Sequence, residues 1–189
     1  MARPKSRPAE EAAKPAGRTG SRRREVTFLV LFLVLLAGGF TVLSINAVND
    51  LVVELFTAGV ARASGALLDW IGQDVTLRGT VIENRRFAVN IRNGCNGVET
   101  VVIFVSAVLA FPAPWRARLV GLALGVVAIQ AVNLVRVAAL FLTGVYLPDF
   151  FKSSHTVVWQ SVVILFGVLL WIFWASRFAA PRGSRAEAA

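Results

Sequence analysis

Three residue types in this chain could do chemistry together: its one cysteine, its one histidine and an arginine set deep in an apolar run. Cys95 lies in Arg92-Asn93-Gly94-Cys95-Asn96-Gly97, Arg136 in Asn133-Leu134-Val135-Arg136-Val137, and His155 just ahead of the apolar run Thr156 to Trp174. A thiolate is a nucleophile, and a nearby cation or a helix N-terminus lowers the pKa that limits its supply. Imidazole moves protons near neutral pH. Guanidinium stays charged and can stabilise an oxyanion. Gly94 and Gly97 would let backbone N–H groups come close to a substrate carbonyl. The set is that of nucleophilic thiol catalysis, with no metal and no cofactor called for.

Two further polar groups sit where apolar ones are expected. An ionisable side chain inside a membrane span costs about 2.5–3.5 kcal/mol on insertion scales, so Glu99 and Arg136 each need a reason. Glu99 is four residues after Cys95, on the same helix face. Arg136 precedes Tyr146 by ten residues, roughly 15 Å of helix, and Asn133 at i−3 points the same way. A Glu99–Arg136 pair between neighbouring helices is therefore expected. Each residue also has a plain reading: Cys95 as a small hydrophobe, His155 as a helix-start residue, Arg136 as a packing partner of Glu99. The conjunction favours chemistry, because the only cysteine and the only histidine fall at one membrane face beside the buried arginine.

The elements that must hold these residues follow from composition. Of 189 residues, 56 % are hydrophobic and 16 % charged, against about a quarter charged in a soluble domain. Such a shortfall points to lipid as solvent. The net charge of +9 does not indicate nucleic acid: eight of the 20 Lys and Arg residues lie in the first 25 positions and most others flank apolar runs, as the positive-inside rule produces. A lone cysteine excludes an internal disulfide and an all-cysteine metal cluster.

Residues 1–25 read as a disordered basic tail. Four spans are expected at about 26–45, 96–111, 119–147 and 156–176, followed by a tail at 177–189. The first run is longer than a signal-peptide core and reads as an anchor. Both termini and the basic loop 112–118 would be cytoplasmic, and the loops 46–94 and 148–155 outside, with the site at the outer face of a bacterial cytoplasmic membrane. Within 46–94, apolar residues from Val48 to Ile71 recur every three or four positions, predicting an amphipathic helix whose stripe includes Leu51, Val52, Leu55, Phe56, Val60, Ala63 and Leu68. Alternating runs at 75–81 and 87–92, with Glu83-Asn84-Arg85 as the turn, predict a β-hairpin leading into Cys95. The fold class is thus an all-α membrane protein of four transmembrane helices with an extracytoplasmic amphipathic helix and a small β-hairpin. Gly121-x-x-x-Gly125 reads as helix packing, and the tryptophans at 70, 115, 159, 171 and 174 mainly as interfacial anchors.

Asn93-Gly94-Cys95-Asn96-Gly97-Val98-Glu99-Thr100, then Asn133-Leu134-Val135-Arg136-Val137, then His155 resemble the exosortase/archaeosortase family in order and over residues 26–176. Phe111-Pro-Ala-Pro-Trp-Arg-Ala-Arg118 and the short length resemble its H-type subgroup. The resemblance implies a membrane cysteine transpeptidase or protease, with Cys95 as nucleophile, Arg136 as charge stabiliser and His155 as acid/base. It implies as partners secreted proteins whose C-terminal tails carry a short motif of the Ile-Pro-Thr-Leu kind, a transmembrane helix and a basic cluster. Membrane lipid surrounds the chain. Two rival readings are a transporter subunit or assembly factor using Arg136 and Glu99 as a polar path, and a thiol acyltransferase acting on lipid.

Overall fold

The computed structural model describes residues 18–153 and 158–178. Its elements are α1 (Arg18–Leu43), a short α2 (Asn46–Val48) that passes through one π-helical turn (Asn49–Val53) into α3 (Glu54–Trp70), strands β1 (Thr76–Arg78), β2 (Val81–Glu83) and β3 (Ala88–Asn90), then α4 (Val98–Ala110), α5 (Trp115–Tyr146), α6 (Pro148–Ser153) and α7 (Trp159–Phe178). The chain is a mostly helical, multi-pass membrane protein with four helices long and apolar enough to cross a bilayer: 22–43, 46–70, 115–146 and 159–178. The first helix begins at Arg18, inside the segment expected to be a tail.

That set of four differs from the expected spans at one place. Helix α4, expected as a full span, has 13 residues, about 20 Å of helix where a span needs about 30 Å. The segment 46–70 has the length and apolarity instead. Packing distinguishes the two. Helix α4 lies at the centre of a bundle, against α1, α5 and α7, whereas α3 packs on the far half of α5 and on β1 and β2.

Close approach inside the bundle comes from small residues. Added side chains at Gly121 and Gly125 would run into the rings of Trp174 and Phe104. Gly167 of α7 similarly meets Thr100 of α4. Lipid supplies no hydrophobic drive between helices, so small residues that let backbones approach are what hold such crossings. At one end Phe28 stacks on Trp171 at 5.7 Å and Phe111 meets Trp174 edge-on at 6.0 Å. Trp174 is buried and its Nε1 donates to the Ala117 carbonyl at 2.8 Å, so this tryptophan is a packing residue and not an interfacial anchor. The same end carries Arg22, Arg23 and Arg24 of α1, Arg116 and Arg118 of α5, and Arg177 of α7.

The opposite end is closed by a cap. The buried face of α3 is Thr57, Val60, Ala61, Ser64, Gly65 and Leu68, a 3–4 spacing shifted from the predicted stripe. Leu51, Val52, Leu55 and Phe56 are exposed, and Ala63 with them. The shift has a physical reason: in a membrane protein the large apolar residues can face lipid while the small ones pack inward. The sheet is a three-stranded antiparallel meander, β1-β2-β3, and not a two-stranded hairpin. Gly79, at φ +64°, makes an extra turn after β1, which the alternation across 75–81 concealed. The Asp69 carboxylate accepts the Val75 N–H at 2.8 Å and ties the end of α3 to the sheet. Leu68, Ile82 and Phe141 are fully buried where α3, the sheet and α5 meet, each contributing about 1.5–3 kcal/mol. Phe87, ahead of β3, packs edge-on against Phe141 at 5.8 Å and Phe151 at 5.0 Å.

Candidate active site

Cys95 sits on the strap between β3 and α4, at the junction of bundle and cap. Its N–H donates to the Arg92 carbonyl at 2.8 Å, which closes a four-residue turn with Gly94 third, at φ +86°. A turn of this form needs φ above zero at its third residue, which glycine adopts without strain. Gly97, at φ +79°, caps α4, and its missing side chain leaves room for Asn133 and Gln130, 3.0 Å from where a Cβ would stand. Helix α4 starts at Val98, so Cys95 precedes the cap by two residues and is not itself the helix N-terminus.

One face of α5 holds this turn. The Arg136 Nη2 donates to the Gly94 carbonyl at 3.0 Å and its Nη1 to Asn133 Oδ1 at 3.5 Å. Asn133 Nδ2 donates to the Cys95 carbonyl at 3.3 Å. Residues 133 and 136 are three apart, so both reach the same strap. From the other side, the Glu99 carboxylate accepts the Gly94 N–H at 2.7 Å. The expected Glu99–Arg136 ion pair is not made. The two charges instead grip the N–H and the C=O sides of the turn around Gly94. Asn96 is fully buried; its Nδ2 donates to Thr57 Oγ1 at 2.9 Å and its Oδ1 accepts the Val98 N–H at 3.1 Å. Asn93 donates to Asn49 at 2.8 Å. The strap is thus bonded to α5, to α3 and to the π-helical turn.

Arg136 lies 21 residues into α5, about 31 Å from its start. The ten residues beyond it run through the cap, where Val137 and Phe141 are buried. The guanidinium is therefore at the junction of bundle and cap and not midway down a span. It is 2 % exposed.

Cys95 is half-buried, and burial pushes its thiol above the ordinary thiol range. The Arg136 charge and the hydrogen bond to the Arg92 backbone pull it down, and Glu99 adds a smaller upward push. Burial prevails, so the expected net lowering by the cation is not what the site shows. The sign can be measured. Alkylation of Cys95, followed against pH, is expected to have its midpoint above that of free cysteine. Arg136→Gln, which removes the largest downward influence, should move that midpoint higher still.

His155 lies outside the described residues; Trp159, four residues later, opens α7. Among the described residues no group of three or more His, Cys, Asp or Glu side chains is placed to hold a metal ion. The bundle brings together Cys95, Arg136, Asn133, Glu99, Asn96, Gly94 and Gly97. Sequence reasoning passed over Thr57 and Asn49, whose partners are 39 and 44 residues away, and Gln130, whose amide atoms are buried beside Gly97 without a partner among the described residues. Gln130 did carry a signal: a polar residue in an apolar run, three before Asn133.

The description "transmembrane exosortase" belongs to the family model that matches residues 16–175 of this chain. No curated protein and no solved structure matches it.

Proposed function

We propose that this chain, which belongs to the transmembrane exosortase family, is a cysteine transpeptidase or protease that removes the C-terminal sorting tails of secreted proteins. The observation that carries the reading is the clamp on the Cys95 strap. A guanidinium, an amide and a carboxylate fix the backbone on both sides of one half-exposed thiol. Catalysis gains most where the reacting group is held in place beforehand.

Cys95 Sγ attacks the scissile carbonyl and its proton passes to His155. The carbon–nitrogen bond breaks, His155 returns the proton to the leaving amine, and a thioester remains on Cys95. An acceptor amine, or water, then takes the acyl group and restores the thiol. Arg136 has its Nη atoms on Gly94 and Asn133, so it acts by holding the strap and by its positive field where the oxyanion forms. The basic residues gathered at the far end of the bundle support a cytoplasmic location for that end. The cap and Cys95 then face outward, and a substrate's tail helix, basic end inward, presents its motif near the thiol.

Co-expression with a secreted reporter ending in an Ile-Pro-Thr-Leu motif, an apolar helix and a basic cluster tests this. The reporter is expected to shorten by the mass of its tail. A full-length reporter beside well-expressed protein would remove the substrate class from the reading.

A further inference from the structure

We propose that the basic end of the bundle binds one anionic phospholipid, its phosphate among Arg23, Arg24 and Arg118 and an acyl chain in the groove between α1, α4 and α7. Two adjoining cavities carry the inference. The first, of 470 Å³, is lined by the three arginines with Thr27, Leu31 and Pro112, and by no carboxylate among the described residues. Arg118 is held in place there. Its Nη2 donates to the Phe111 carbonyl at 3.0 Å, while its Nε is buried and has no partner among the described residues. The second, of 270 Å³, shares Phe28 with the first and runs past Phe32, Ile103, Ile164 and Trp171. Its wall is almost wholly apolar.

The two cavities ask for different chemistry in one molecule. Three like charges around one space repel unless an anion sits among them. The groove beside them favours a hydrocarbon chain. A neutral lipid would fill the groove and leave the arginines unanswered. Free phosphate would meet the arginines alone. A sorting tail ends in basic residues, which this rim repels. A phospholipid with a net negative headgroup satisfies both parts, as basic pockets between membrane helices on the cytoplasmic side commonly do. By joining α1 to the first turn of α5, whose Arg118 donates to Phe111 at the end of α4, it would brace the helix that follows the Cys95 strap. The site stands whether or not the chain cleaves tails.

The test uses the full chain purified in neutral detergent. It is titrated with phosphatidylglycerol, with phosphatidylcholine of the same chains, and with glycerol phosphate, and bound species are read by native mass spectrometry. One phosphatidylglycerol per chain is expected at concentrations where phosphatidylcholine does not bind. Arg118→Gln and Arg24→Gln should each weaken it about fivefold. Arg116→Gln removes the same charge from the same end but lies outside the cavity, and should leave binding unchanged. Equal retention of phosphatidylcholine would overturn the proposal, as would displacement by glycerol phosphate at equal concentration. So would an equal loss in Arg116→Gln, which would mean a diffuse surface charge. Should Arg118→Gln fail to elute as a single species, Arg24→Gln, on an exposed position, decides alone.

Discussion

Changing Cys95 to alanine is expected to leave a tailed reporter at full length, a fall in cleavage of about 10⁶-fold if removal of this nucleophile costs what it costs in other nucleophilic hydrolases. The thiol is the atom that bonds to the substrate, and among the described residues no second cysteine stands near it. The substitution should not unfold the chain. The strap is held by backbone bonds from Gly94 and Cys95 to Arg136, Asn133, Glu99 and Arg92, none of which uses the sulfur. A melting curve close to wild type would show this. Shortening that continues in the alanine variant would end the catalytic reading and favour a transporter subunit or assembly factor, for which Cys95 is only packing. The geometry already weakens that rival's polar path, because Glu99 and Arg136 are not paired along a channel and both are bonded to Gly94.

Arg136→Lys should lower cleavage by about 100- to 1,000-fold, the range found when one preorganised donor at a reacting centre is removed. Lysine keeps the charge but has no planar fork. It cannot reach Gly94 O and Asn133 Oδ1 from two nitrogens at once, so the strap loses its register. Because the charge stays, the alkylation midpoint of Cys95 should stay near its wild-type value while cleavage falls. That split separates position from charge. If Arg136→Lys cleaves as fast as wild type, charge alone matters and the clamp has no role.

The parts of the site that were legible in the sequence were those written at helical spacing. Asn133 and Arg136, three apart in an apolar run, announced a polar face on α5, and that face does meet the Cys95 strap. Membrane helices and their small-residue crossings were legible for the same reason: lipid permits few alternatives to a long apolar run. What escaped was set by contacts distant in sequence. The Asn96–Thr57 and Asn93–Asn49 bonds have no local signature. The buried stripe of α3 is made mostly of small residues, so the expectation that large apolar side chains face inward, which holds in water, points to the wrong face of this helix. Nothing local in the sequence marks the Ala117 carbonyl as the acceptor of the Trp174 N–H, 57 residues away. Burial of Cys95 outweighs the nearby cation, and only three-dimensional packing reveals by how much a thiol is enclosed.

The shortness of α4 has a further consequence. Its 13 residues cover about 20 Å of a hydrocarbon layer about 30 Å deep, while its neighbours α1, α5 and α7 are long enough to cross. The irregular Asn93–Gly97 strap continues the chain from the start of α4, and non-helical backbone in a membrane bundle is tolerated only when protein groups satisfy it. Because α4 is enclosed by α1, α5 and α7, the break is lined by protein and not by lipid, so its polarity is set by the bonds that hold the strap. The polarity at Cys95, and with it the contest between water and another acceptor for a bound acyl group, would then be a property written into the chain and not into the acyl-chain length of the surrounding membrane.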